Sequence, residues 1–297
     1  MKSISNIRTY GGICLAVSFW GVSFLWTDQL LQLGFPLYSL IFIRLLIAAI
    51  ALLVSLGLMR KLQRPKKKDL KWFVLMALFE PFLYFVGETN GIKVSGSPTI
   101  SSVIIATIPL FTMAAGYSIY KENLTKVNII GILISVFGVT LAVLDNNFNM
   151  SVNPLGVALL FLAVFTAVGY SLVIRRLTDT YSSFTIVSIQ NVLGALFFLP
   201  LFLLESKEFS AFHFTWETVY PLVMLALLPS CVSFLLYVRT IKTLGVSKTN
   251  MFTTLTPIST MILALAMGQE DLSHQKIIGS LIVVAGLLLS QRVPAKS

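Results

Sequence analysis

Apolar residues in this chain run in long, nearly unbroken stretches, without the period-two alternation of strands or the single stripe of a soluble helix. Ten windows of about 20 residues can be laid along it, with limits 9–31, 37–59, 70–91, 97–120, 124–144, 154–174, 183–204, 217–239, 247–268 and 274–291. A helix of about 20 residues crosses a hydrocarbon core roughly 30 Å thick. Runs of this length cannot leave their backbone unpaired in lipid, so they predict helices. The expected fold class is all-α, a polytopic membrane protein of ten transmembrane helices joined mostly by short links.

Composition agrees: 56% of the 297 residues are hydrophobic, 11% are charged and the mean hydropathy is +0.87. The net charge of +10 raises the question of a nucleic-acid surface, which the positions of the 22 Lys and Arg residues answer. Eighteen of them lie at the termini or in the links after spans 2, 4, 6 and 8. Only Lys93, Lys207 and Lys276 lie on the other side, and Arg44 falls inside span 2. The positive-inside rule therefore places both termini in the cytoplasm. "RKLQRPKKKDLK" is a topology determinant, and no nucleic-acid partner is expected. The N-terminal "MKSISNIRTYGGICLAVSFWGVSFLW" has a basic start and an apolar run but no small-residue cleavage pattern, so it reads as a first span. Cys14 and Cys231 sit in apolar runs and read as small buried hydrophobes.

The chain repeats itself. An offset of 148 residues matches Pro109 with Pro257, Glu122 with Glu270, Leu124 with Leu272, Gly131 with Gly279 and Gly138 with Gly286. Near the ends of spans 3 and 8 an offset of 149 matches Lys93 with Lys242. Five helices per repeat is an odd number, so the copies, 1–148 and 149–297, enter the membrane from opposite sides. Inverted repeats of this kind belong to secondary transporters, whose two halves give inward-open and outward-open states of similar energy. Glu122 and Glu270 read as structural, each preceding a Thr or Ser (Thr125, Ser273) suited to cap the next helix. The glycines, seven apart on one face, predict close packing of spans 5 and 10.

Two five-helix halves, Trp20-Gly21 in span 1, the proline-containing spans 4 and 9, and an "E-x-L-[TS]…G…G" ending in each half together resemble the drug/metabolite transporter superfamily, in its ten-helix EamA-like branch. The resemblance implies a central cavity bounded by spans 1–4 and 6–9, with spans 5 and 10 peripheral. It also implies export of small metabolites such as amino acids across the cytoplasmic (inner) membrane by alternating access.

Candidate chemistry concentrates in "FEPFLYFVGETNG", residues 79–91. Carboxylates in hydrocarbon are disfavoured by a few kcal/mol, so their presence there marks a partner or a polar path. Glu80, Tyr84 and Glu88 are spaced i, i+4, i+8 on one stripe of span 3, with Glu80 near the midplane. Arg44 on span 2 lies at a depth between the two acids, so it is expected to reach either one, engaging an anionic group while a glutamate takes a cation or a proton. Gln190 and Asn191 occupy the corresponding place in span 7. The Ser and Thr residues of spans 4 and 9 are expected mainly to bond helix backbone around proline. Ser102 and Asn250, matched across the repeat, are retained as substrate contacts, with Trp20 and Tyr237 as apolar walls. An intramembrane enzyme would need a nucleophile and base or metal ligands within the spans, and His213 and His274 are both in links. A secondary transporter of a small metabolite is expected: an amino acid or related zwitterion first, an organic cation or drug second, nucleotide-sugar or sugar-phosphate exchange third because only Arg44 supplies a cation, with a channel or membrane scaffold as the alternative class. The expected partners are a small-molecule substrate and the lipid bilayer, with the chain a monomer or homodimer. No cofactor or metal is expected.

Overall fold

The computed structural model describes residues 2–58, 63–120, 125–144, 151–270 and 273–290, and these form a helical bundle. Spans 1 and 2 are single helices, Lys2–Gln32 and Leu37–Leu58. Span 3 is Leu70–Ala77 and Tyr84–Ser95 joined by a π-helical turn, Leu78–Leu83. Span 4 is two pieces, Pro98–Ile105 and Ile108–Tyr120, and span 5 is Lys126–Val143. Spans 6 and 7 are Pro154–Thr178 and Ser183–Leu204, followed by a short helix, Ser206–Ala211. Span 8 repeats the plan of span 3: Trp216–Leu227, a π-helical turn Leu228–Ser233, and Phe234–Leu244. Span 9 is Val246–Thr253 and Thr256–Met267, and span 10 is His274–Ser290. Among the described residues nine of these are long and apolar enough to cross a membrane, and span 10 is a shorter apolar helix.

The breaks recur at equivalent places because their causes recur. In spans 4 and 9 a proline, Pro109 or Pro257, opens the preceding turn by withholding an N–H. The hydroxyls of Thr107 and Thr254 donate to the carbonyls of Ile104 (2.6 Å) and Met251 (2.7 Å) within these openings. In span 3 Glu80 is extended (φ −145°, ψ 120°), which interrupts the helix immediately before Pro81.

Contacts follow the pseudo-twofold relation. Span 2 packs along span 7 and span 5 along span 10; span 3 packs on span 6 as span 8 packs on span 1; span 4 packs on span 6 as span 9 packs on span 1. The glycines of spans 5 and 10 lie on each other crosswise. A Cβ on Gly131 would meet backbone atoms of Ser290 and the Gly286 carbonyl, and one on Gly138 would meet the Gly279 carbonyl at 2.8 Å. Outward faces are apolar, as Ile130, Leu133, Phe137, Ile262 and Leu281 illustrate, while polar side chains such as Ser39, Thr89, Ser102 and Asn250 are buried. This is the arrangement a bilayer solvent selects. Cys231 is buried as expected, but Cys14 is exposed on the outer face of span 1, because an apolar run does not say which of its faces looks inward.

Helix ends are exchanged between the halves. Glu205, at the end of span 7, accepts from the Ser39 N–H (2.8 Å) and hydroxyl (3.0 Å) at the start of span 2. Reciprocally Gln63, after span 2, accepts from Ser182 N–H (2.9 Å) and Thr185 Oγ1 (3.2 Å) at the start of span 7. Glu270, after span 9, accepts from the Ser97 hydroxyl and the Thr99 N–H (3.1 Å) at the start of span 4, and pairs with Lys276 at 2.9 Å. Burial pushes this carboxyl up, but the hydrogen bonds from Ser97, Lys276 and Thr99 and the Lys276 charge outweigh it and hold the group below the ordinary carboxylate value. Thr125 and Ser273 cap spans 5 and 10 as expected. Glu270 is therefore structural by a longer reach than its neighbour Ser273 suggests, and Glu122 lies outside the described residues.

Candidate functional site

A cavity opens between the halves, walled by spans 1, 2, 3, 4, 6, 8 and 9. Spans 5 and 10 contribute nothing to its wall.

Span 3 supplies the acids. The π-helical turn places Glu80, Tyr84, Phe85 and Glu88 on the cavity. Glu80 is 8% exposed, and among the described residues no group donates a hydrogen bond to its carboxylate. Glu88 accepts from Thr89 Oγ1 at 3.4 Å and interacts electrostatically with Arg44.

Arg44 departs from expectation. Depth alone made it a partner for either glutamate, yet the only ion pair within 4 Å among the described residues is Lys276–Glu270. Its Nε instead donates to Ser230 Oγ at 3.2 Å, and its guanidinium carbon stands 4.4 Å from the centre of the Phe85 ring. Ser230 belongs to the π-helical turn of span 8 and passes its own proton to the Leu225 carbonyl at 3.0 Å. A backbone feature of one half thus orients the cation of the other. The two terminal nitrogens of Arg44 have no acceptor among the described residues, which leaves a planar fork suited to a carboxylate. Truncation by Arg44→Ala should weaken apparent cargo affinity by about 10- to 100-fold, the worth of charge-assisted hydrogen bonds of about 1.5–3 kcal/mol. The amount of folded protein on size-exclusion chromatography should change little. Because no ion pair joins Arg44 to Glu88, adding Glu88→Gln should not restore transport; restoration of both folding and flux would reveal a structural clamp.

Another part of the wall is aromatic. Trp20 packs edge-on against Phe234 (5.4 Å between centroids) and Tyr237 (5.2 Å). Tyr237 donates to Asn250 Oδ1 at 2.6 Å, and Tyr170 donates to Gln190 Oε1 at 3.0 Å.

Of the ten residues named from the sequence, Trp20, Arg44, Glu80, Tyr84, Glu88, Tyr237 and Asn250 line this one cavity. Ser102, Gln190 and Asn191 do not. Ser102 donates to the Thr99 carbonyl at 2.7 Å, Gln190 holds Tyr170, and Asn191 donates to the carbonyls of Val187 (2.8 Å) and Ser230 (3.3 Å). These bonds tie the three side chains to neighbouring helix backbone or to Tyr170. The sequence reading passed over Tyr170, Ser171 and Phe234, which line the cavity, and Asp28, a buried acid that accepts from Gln32 at 2.6 Å. The signal for Asp28 was a lone acid at the end of the first apolar run.

Comparison with known proteins adds the following. The EamA-like transporter family model matches the chain twice, over residues 8–144 and 154–291. "Uncharacterized transporter YetK" of Bacillus subtilis (strain 168) is 24% identical over 96% of this chain and 87% of its own length. "Uncharacterized transporter YyaM" of the same organism is 27% identical over 71% of this chain and 68% of its own. An "Uncharacterized transporter" of Archaeoglobus fulgidus is 23% identical over 94% of this chain and 97% of its own. A solved crystal structure superposes with a TM-score of 0.64 at 16% identity, covering 93% of this chain and 97% of that one, which is a likeness of fold.

Proposed function

Since this chain belongs to the EamA-like transporter family, we propose that it is a secondary carrier, exporting an amino acid or related zwitterion across the cytoplasmic membrane by alternating access. The observation that carries this reading is a cavity lined by residues of both halves, holding one carboxylate without a hydrogen-bond donor (Glu80) and one guanidinium whose terminal nitrogens have no acceptor (Arg44) among the described residues. Opposite charges left unsatisfied in one apolar cavity suit a cargo that brings both complements. In this reading Glu80 takes the cationic end or a proton, Arg44 takes the anionic end, and Glu88 balances Arg44 when the site is empty. The partners are the cargo and the bilayer, without nucleic acid, and the chain works as a monomer or homodimer with no catalytic group. The aromatic wall beside Glu80 favours organic-cation export as the second reading.

Purified protein in proteoliposomes, offered a panel of labelled amino acids, should show saturable uptake stimulated by the same compound on the far side. Linear, unstimulated flux would indicate a channel, and no flux with any compound a scaffold. The orientation has its own test. With Cys14 and Cys231 replaced, a membrane-impermeant maleimide should label a cysteine at Asn146 or Lys207 in intact cells and spare one at Lys67 or Arg176. The reverse pattern would place the termini outside and invert the carrier.

A further inference from the structure

The chemistry at the two ends of the cavity differs in a way that narrows the cargo. Trp20, Tyr170, Phe234 and Tyr237 all line the cavity, and Tyr170 and Tyr237 lie within electrostatic reach of Glu80. They also lock one another, Trp20 against Phe234 and Tyr237, and Tyr170 against Phe234 at 6.4 Å between centroids. The tyrosine hydroxyl protons are spent on Gln190 and Asn250, which fixes the rings without adding a donor for cargo. The nearby hydroxyls of Ser23 and Thr253 are likewise committed, to the carbonyls of Trp20 and Asn250, both at 2.7 Å. A cation here meets the Glu80 carboxylate and these aromatic rings, with hydroxyl oxygens as weaker acceptors.

A primary ammonium carries three donors and loses a strong hydration shell on entering such a place, so it needs several well-placed acceptors. A methylated ammonium needs none. It is weakly hydrated, presents polarised C–H groups to ring faces, and is satisfied by a diffuse negative charge nearby. The Arg44 end is the reverse: directional, planar and suited to bidentate pairing with a carboxylate. Resting on the carrier reading above, we infer that the cargo is a carboxylate-bearing quaternary ammonium, a betaine-type zwitterion, with its trimethylammonium head in the Trp20, Tyr170, Phe234 and Tyr237 cage beside Glu80 and its carboxylate on the Arg44 fork.

The test compares matched pairs on the full chain: N,N,N-trimethylglycine against glycine, and 4-(trimethylammonio)butanoate against 4-aminobutanoate. Binding is read by calorimetry on protein in nanodiscs and flux by labelled uptake into proteoliposomes. At least one methylated compound should bind about tenfold or more tightly than its unmethylated parent, the scale of a desolvated cation over aromatic faces. It should also drive counterflow. Trp20→Leu should erase the discrimination between the members of a pair, whereas Tyr237→Phe, which keeps the ring and removes the hydroxyl, should retain it. If Trp20→Leu does not fold, Trp20→Phe supplies an intermediate ring and should give intermediate discrimination. Tetramethylammonium, lacking the carboxylate, should compete weakly, and Arg44→Ala should bring the betaine down to its level. Unmethylated compounds binding and flowing as well as or better than the methylated ones would overturn the betaine assignment and leave the carrier standing. Flux only with other amino acids would do the same. Absence of saturable flux with every zwitterion would overturn both.

Discussion

Glu80→Gln should abolish transport. The substitution keeps the size and hydrogen-bonding reach of the side chain and removes only its charge, so the bundle has no steric reason to change. Glu80 is also held by no donor among the described residues, so little native structure is lost with the charge. A cationic cargo head, by contrast, would enter an apolar chamber without its counter-charge. Removing one partner of a buried pair is worth about 3–5 kcal/mol, which corresponds to a loss of roughly 100-fold or more in flux at subsaturating cargo. Initial counterflow rates in proteoliposomes, normalised to folded protein, measure it. Glu88→Gln should do less to flux and more to stability, because Glu88 is the acid that interacts with Arg44. If transport is proton-coupled, residual counterflow in Glu80→Gln should lose its dependence on pH. Full activity in Glu80→Gln with loss in Glu88→Gln would exchange the two roles.

The second large effect is on stability. Gly131→Ala should disrupt the pairing of spans 5 and 10, since its added Cβ lies 2.6 Å from the Gly286 carbonyl and against backbone atoms of Ser290. Backbone cannot rotate aside as a side chain can, so the two helices must separate. Overpacking of this kind costs about 1–3 kcal/mol and occasionally more, and helix association in lipid has only such close packing to rely on. Gly57→Ala is the matched control: a Cβ there meets nothing within 4 Å. It should be neutral or stabilising by up to about 1 kcal/mol through helix propensity. Thermal unfolding in detergent should separate the two variants clearly, and equal melting points would mean that the seam of spans 5 and 10 is not tight.

The ten spans were legible because the bilayer imposes a length and a polarity on every segment that crosses it, and both are visible one residue at a time. Arg44, Glu80 and Glu88 were legible for the same reason, since a charge in an apolar run is conspicuous. What the sequence hid was direction around the helix axis. Depth placed Arg44 level with the acids but could not say that its side chain turns to Ser230 on span 8. Tyr170 and Phe234 look the same in sequence whether they face lipid or cavity. Ser102, Gln190 and Asn191 were over-read because a polar side chain in a span has a second use, bonding backbone or holding a neighbour. The π-helical turn of span 8 was invisible for another reason. "LPSCVS" carries no charge, and only its equivalence to "LFEPFL" in the folded chain gives it meaning.

The exchanged helix ends bear on how the molecule would rest and move. On one face Glu205 and Glu270 hold the first turns of spans 2 and 4 with carboxylates from the opposite half; on the other, Gln63 holds span 7 with an amide. A helix N-terminus attracts a full anion more strongly than a dipole, so among the described residues the starts of spans 2 and 4 are fastened more strongly than the start of span 7. Glu270 titrates below the ordinary carboxylate range, so its fastening is complete at neutral pH and is released only as acidity rises through that lowered value. For the face that carries Glu205 and Glu270 to part, the hydrogen bonds of Glu205 with Ser39 and of Glu270 with Thr99 between the halves would have to break.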